Sequence, residues 1–316
     1  MESLQQIKQR VKSVKNINQI TKAMELVAAT KMRKSQEIAL RSRAYAYAAL
    51  DFLRTLTKME NVALPPLLAR RAVKRHMVVL VTSDKGLAGA FNSNVIRAFE
   101  RWIGLEAKSS KLEAIYVAVG QKAKAHLERF VSLHASRSTL HANFVRVGDY
   151  TTVEEVRPIA ELIIKSFLDG ECDEVILFST HFRSALRQEV LQRKILPVSF
   201  ESITATLNEL VPEHGRFTEA NQPLATSHQP LVEYLIEPSA ETILDDLARH
   251  LVLMEIYHVI LEANASEHAA RRLAMKSASD NARDIVQELN LAYNKSRQAA
   301  ITKELTEITA GSESLS

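Results

Sequence analysis

The chain has one cysteine, Cys172, in 316 residues. That excludes a disulfide framework and a cysteine-built zinc site, and it fits a reducing compartment. No apolar run approaches the roughly 18 residues that a bilayer-spanning helix needs, so the chain is expected to be soluble or peripheral. The Met-Glu start lacks the apolar block of a secretory signal. The N-terminus is basic and amphipathic, but it carries Glu2 and runs unbroken into a longer periodic pattern, so it reads as mature structure. A net charge of +4 is too small to argue for nucleic acid without a local cluster.

Glycine and proline are missing from both ends. All eight prolines lie between Pro65 and Pro238, and seven of the eight glycines between Gly86 and Gly215, leaving only Gly311 outside. Residues 1–64 and 239–310 therefore contain no helix breaker, and both are rich in Ala, Leu, Lys, Glu, Gln and Arg. A typical globular helix has about 11 or 12 residues, so each arm is expected to form one very long helix, on the order of 80 to 100 Å, much of it projecting.

Periodicity supports this. Leu4, Ile7, Val11 and Val14 step by three and four, followed by Ile17, Ile20, Met24 and Val27, which is the spacing of a coiled-coil seam. The last arm opens with Leu244, Leu247, Leu251 and Met254 at the same spacing. It then turns alanine-rich through Ala263, Ala265, Ala269 and Ala270, where small side chains admit another backbone. Gly311, just past Leu305 and Ile308, stands where a C-terminal glycine cap belongs. Residues 1–45 hold ten Lys or Arg against three acids, and residues 239–316 hold eight against twelve. Opposite signs favour pairing of the two arms.

The middle, 65–238, alternates β-rich runs (76–83, 113–120, 173–180) with helix-compatible stretches (94–103, 121–130, 153–168). That order predicts a Rossmann-like α/β domain with a mostly parallel sheet. Residues 209–230 are polar, proline-bearing and poorly periodic, and are expected to form a surface loop.

Five candidate motifs fail. In SDKGLAGAFNSN (83–94) Lys85 precedes Gly86 instead of following the second glycine, as a Walker loop requires. Gly86-x-x-Gly89 also lacks the third glycine of a dinucleotide fingerprint. The turn is expected to be structural, its glycines supplying positive φ. Glu255-x-x-His258 matches half of a di-iron site, but no second copy exists, so the pair reads as a surface or seam feature. Neither H-E-x-x-H nor G-x-S-x-G appears. No catalytic residue, metal site or cofactor is expected.

ITKAMELVAATKMRKSQ (20–36), ASEHAARRLAMKSASDNA (265–282) and YNKSRQAAITKELTEITAG (293–311) resemble the terminal helices of the gamma subunit of F-type ATP synthases. Residues 83–94 resemble that family's central domain, so the likeness runs essentially end to end, excepting about 209–230. The turn departs from the family at Ala88, where Cys is common, and at Ala90, where Gly is common. The regulatory dithiol of chloroplast relatives is missing.

The resemblance implies an antiparallel coiled coil of the two terminal helices entering a ring of alpha and beta subunits, with an α/β domain outside. It implies a non-catalytic rotor subunit, one copy per complex, that also meets the epsilon subunit and the c-ring. Such a subunit would be peripheral on the cytoplasmic face of a bacterial plasma membrane. By resemblance, Arg297, Gln298, Thr302 and Glu304 are polar contacts to the beta subunits, with Lys22, Met24 and Arg33 facing them from the first arm. Leu305 and Ile308 would slide against an apolar sleeve. Two alternatives are a coiled-coil protein that holds DNA phosphates on its basic first arm, with steep salt dependence, and a nucleotide-dependent enzyme in the middle domain.

Overall fold

The computed structural model describes residues 3–57, 65–109, 113–133, 138–148, 150–199 and 239–313. The expected 209–230 loop lies outside them. Two helices bracket the chain, α1 (Leu4–Thr57) and α5 (Ala240–Glu313). They coincide with the stretches that lack glycine and proline. α5 continues through Gly311 to Glu313, so this glycine is not the helix cap that its position suggests.

Between them lie β1 (Arg75–Val81), α2 (Phe91–Ser109), β2 (Glu113–Val119), α3 (Gln121–Leu133), β3 (Ser138–Phe144), α4 (Val153–Leu168), β4 (Glu174–Phe182) and β5 (Gln188–Leu196). The sheet order is β3-β2-β1-β4-β5. The first four strands are parallel, and β5 returns antiparallel along β4. β3 and β5 escape the sequence reading because STLHANF and QEVLQRKIL carry too many polar residues to look like buried strands.

Alternation along each strand divides the core. Met77, Val79, Val81, Val117, Val119, Val175 and Leu177 face a layer containing α4 and the start of α5. Val78, Leu80, Tyr116, Ala118, Ile176 and Phe178 face α2 and α3 through Val95, Phe99, Ala123 and Leu127. Side chains that alternate between faces of a strand buried on both sides produce the continuous apolar run HMVVLV. α4 starts at a capping box: Glu155 N–H donates to Thr152 Oγ1, and Thr152 N–H donates to Glu155 Oε2 at 2.8 Å. Such reciprocal bonding satisfies two amides left open at a helix start.

The chain divides into two compact units, one of Met1–Ala28 with Arg271–Ser316, the other of Ala29–Ala270. The breaker-free stretches bounded at 64 and 239 mark where the long helices run. The units divide elsewhere because every residue of α5 from Leu251 to Ala263 is buried within the larger unit.

In the smaller unit the inward positions of α1 are Leu4, Ile7, Val11, Val14, Asn18, Thr21, Glu25 and Ala28. This strict three-four spacing follows the apolar seam only as far as Val14. Beyond it the covered face moves one residue along, onto polar and small side chains, and Ile17, Ile20 and Val27 turn outward, 49%, 60% and 53% exposed. Continuing with Ile17 would break the 3.5-residue average that keeps one face of a helix turned to its partner. On α5 the inward positions are Arg272, Met275, Ser279, Ala282, Val286, Asn290's neighbour Leu289, Tyr293 and Ser296. Asn18 Nδ2 donates to the Ser279 carbonyl oxygen at 2.5 Å and to Ser279 Oγ at 3.2 Å.

Candidate partner-contact site

Past Ser296, every residue of α5 from Arg297 to Ala310 is exposed. The helix is nevertheless well formed there, with Thr302, Thr306 and Thr309 returning hydroxyl hydrogen bonds to carbonyls one turn back. Arg297, Gln298, Thr302, Glu304, Leu305 and Ile308 all lie on this segment. Ile301, Leu305 and Ile308 carry apolar surface into solvent, the last two 59% and 63% exposed.

Lys22 and Arg33 are exposed and Met24 is half-buried. Lys22 Nζ pairs with Glu25 at 2.9 Å. Lys22 lies four positions from Asn18, and Arg297 lies eighteen positions from Asn18's partner Ser279.

The turn between β1 and α2 is filled by its own bonds. Asn92 Oδ1 accepts from Ser83 N–H at 2.9 Å, Asn92 Nδ2 donates to Ser83 Oγ at 2.7 Å, and Asp84 Oδ1 accepts from Gln121 N–H at 2.9 Å, tying the turn to the start of α3. Positive φ falls on Leu87 (63°) and Gly89 (55°), not on Gly86. Across the strand ends, Gly120 adopts φ 95°, and a Cβ there would stand 2.2 Å from the Thr82 carbonyl oxygen.

The larger unit contains a polar cluster that spacing alone did not reveal. Glu262, on the buried stretch of α5, accepts at Oε2 from Arg193 Nη2 of β5 at 3.0 Å and lies 3.1 Å from His181 Nδ1 of β4. Arg193 Nη1 donates to Ser179 Oγ at 3.2 Å. Asn264 Nδ2 donates to Thr151 Oγ1 at 2.8 Å and to the Gly148 carbonyl at 3.1 Å, and Ser266 Oγ donates to the Thr180 carbonyl at 3.3 Å. Burial pushes the Glu262 carboxyl up, yet Arg193, His181 and His258 together hold it below its ordinary range. Burial drives His258 down to about 4, against the opposing pull of Glu262. The partners of Glu262 stand 69 and 81 positions away in sequence, beyond any short motif. The one available signal was a carboxylate inside the run LVLMEIYHVILEA.

Glu255 and His258 are buried, which corrects the reading of that pair as a surface or seam feature. α5 is covered on all sides at this level, so no seam exists there. Among the described residues, no group of three or more His, Cys, Asp or Glu could hold a metal, and no helix is long and apolar enough to cross a membrane.

A family model described as ATP synthase matches residues 3–315. The ATP synthase gamma chain of Chlorobaculum parvum is 36% identical over 318 aligned residues, covering 100% of this chain and 99% of that one. The chain belongs to the ATP synthase gamma-chain family. The gamma chain of Opitutus terrae is 38% identical, with 98% of each chain covered. Among solved structures, the central stalk and c-ring of the Tetrahymena thermophila mitochondrial ATP synthase aligns with a TM-score of 0.55 at 25% identity, covering 82% of this chain and 99% of that one. A chain of the Euglena gracilis mitochondrial enzyme aligns at 0.60 and 17% identity, covering 99% of this chain and 94% of that one, a likeness of fold. Nothing in this membership favours the DNA-binding alternative.

Proposed function

We propose that the chain is the central rotor shaft of an F-type ATP synthase, coupling ion translocation to ATP synthesis or hydrolysis at beta subunits. The observation that carries this reading is the exposed helical tip of α5, Arg297 to Ala310, with apolar side chains that this chain leaves uncovered. Exposed apolar side chains gain stability when a partner covers them. A surrounding sleeve of alpha and beta subunits would supply one.

The finer plan is an antiparallel coiled coil. It is supported by the three-four burial of both helices, by Asn18 meeting Ser279, and by Met32 packing with Ala265 and Ala269. In that plan numbers fall in α5 as they rise in α1. Arg297, Gln298, Thr302 and Glu304 then serve as polar contacts to the beta subunits, and Leu305 and Ile308 as the sliding surface. Lys22, Met24 and Arg33 would meet the ring at other levels. The partners are the alpha, beta and epsilon subunits and the c-ring, with one copy of this chain per complex, peripheral on the cytoplasmic face of a bacterial plasma membrane.

A shaft biases three equivalent sites only by touching each differently, since equal contact with every state shifts nothing. Driving a catalytic subunit from about 1:99 to 99:1 takes roughly 5.5 kcal/mol of differential interaction. Ions crossing a membrane release about 2.3 kcal/mol per charge per 100 mV, so several per step suffice. Co-expression with alpha and beta subunits tests the proposal. A stoichiometric complex with ATPase activity should form only when this chain is present; equal activity without it would refute the reading.

A further inference from the structure

Every residue of α5 from Leu251 to Ala263 is buried. Along LVLMEIYHVILEA the apolar side chains point in all directions around the helix. Apolar contact is non-directional, whereas hydrogen bonds and ion pairs have a preferred direction. The buried polar side chains of this stretch, Glu255, His258 and Glu262, therefore restrain the rotational setting of α5 more sharply than apolar contact does. A shaft that transmits torque needs that setting fixed.

We propose that Glu262, Arg193, His181, Asn264 and Ser266 form a torsional lock, positioning residues that fix the rotational setting of α5 on the sheet. The inference rests on the rotor reading above. The pins come from three separate elements: β5 through Arg193, β4 through His181 and the Thr180 carbonyl, and the segment before α4 through Gly148 and Thr151. They cluster within five residues of α5, just before Ala270, where the larger compact unit ends. Each bond is directional, and successive residues of a helix lie about 100° apart, so a one-residue turn removes Glu262 from both of its partners. Replacing a buried ion pair with apolar groups of similar size is often neutral or stabilising, and fixing register is the best-attested use of such a pair. The cluster is therefore assigned to setting, not to stability.

The test compares the full complex carrying wild-type chain with two variants: Arg193→Met/His181→Leu/Glu262→Leu, and Asn264→Ala/Ser266→Ala. The readouts are unloaded ATP hydrolysis and gradient-driven ATP synthesis in reconstituted vesicles. Both variants should hydrolyse ATP within about twofold of wild type, while the synthesis-to-hydrolysis ratio falls at least fivefold for the triple variant and to a lesser degree for the double. A wild-type ratio in either variant that assembles overturns the proposal, as does a parallel loss of hydrolysis and synthesis. Should the triple variant fail to assemble, the double variant decides by the same ratio. Gradient-driven ATP synthesis by a complex that lacks this chain would instead defeat the rotor reading itself.

Discussion

Asn18 of the first helix and Ser279 of the last, 261 positions apart, are joined by two hydrogen bonds from one amide group, at 2.5 Å to the carbonyl oxygen and 3.2 Å to the hydroxyl. Thr21 and Glu25 continue the same polar stripe inward. Polar residues at seam positions specify alignment at a cost in stability. Asn18→Ala should destabilise the smaller unit by about 1 kcal/mol, measured as a shift in the chemical denaturation midpoint of the isolated chain. No shift would mean that the bond does not form in solution.

Leu305→Asp and Ile308→Asp act on residues that this chain leaves in solvent. The melting temperature of the isolated chain should not change, since exposed substitutions usually stay within about 0.5 kcal/mol. Yield of the complex with alpha and beta subunits should fall severalfold. Normal assembly and activity would remove these residues from the contact surface.

His258 gives a pH dependence of definite sign. Its folded value is near 4 and its ordinary value 6.5, so between those limits the unfolded chain binds more protons and stability declines as pH falls. The loss should be about 2 kcal/mol between pH 7 and pH 5. His258→Leu should remove this slope, measured as urea midpoints at both values. Below about pH 4.5 a further decline is expected as Glu262, held below its ordinary range, takes up its proton.

Cys172 is fully buried, and burial pushes its thiol up to about 12. A neutral, covered thiol is a poor nucleophile. Alkylation of the native chain at pH 8 should be at least a hundredfold slower than in denaturant, followed by mass spectrometry. Equal rates would contradict the burial.

Much of this architecture was legible in the sequence, for identifiable reasons. The absence of glycine and proline located both long helices, and uniform apolarity marked β1, β2 and β4, whose side chains are covered on both faces. Edge strands β3 and β5 were not legible, because half-exposed strands mix polar with apolar residues. The apolar repeat coincides with the covered face of α1 as far as Val14 and leaves it beyond. There the outward Ile17, Ile20 and Val27 mimic a seam, while the inward Asn18, Thr21 and Glu25 do not look like one. The exposed tip could be named only by resemblance, since nothing in RQAAITKEL says which residues lack a partner. The Glu262 cluster was invisible because its members meet only after the sheet has formed.

The central claim is that the two arms turn together as one axle, and a cysteine pair at positions 18 and 279 tests it most directly. The native Cys172 is buried and does not compete. In the complex assembled with alpha and beta subunits, oxidation should form a disulfide within this chain while ATP hydrolysis continues at the uncrosslinked rate. Failure of the pair to bridge, or a bridge that stops turnover, would contradict the account.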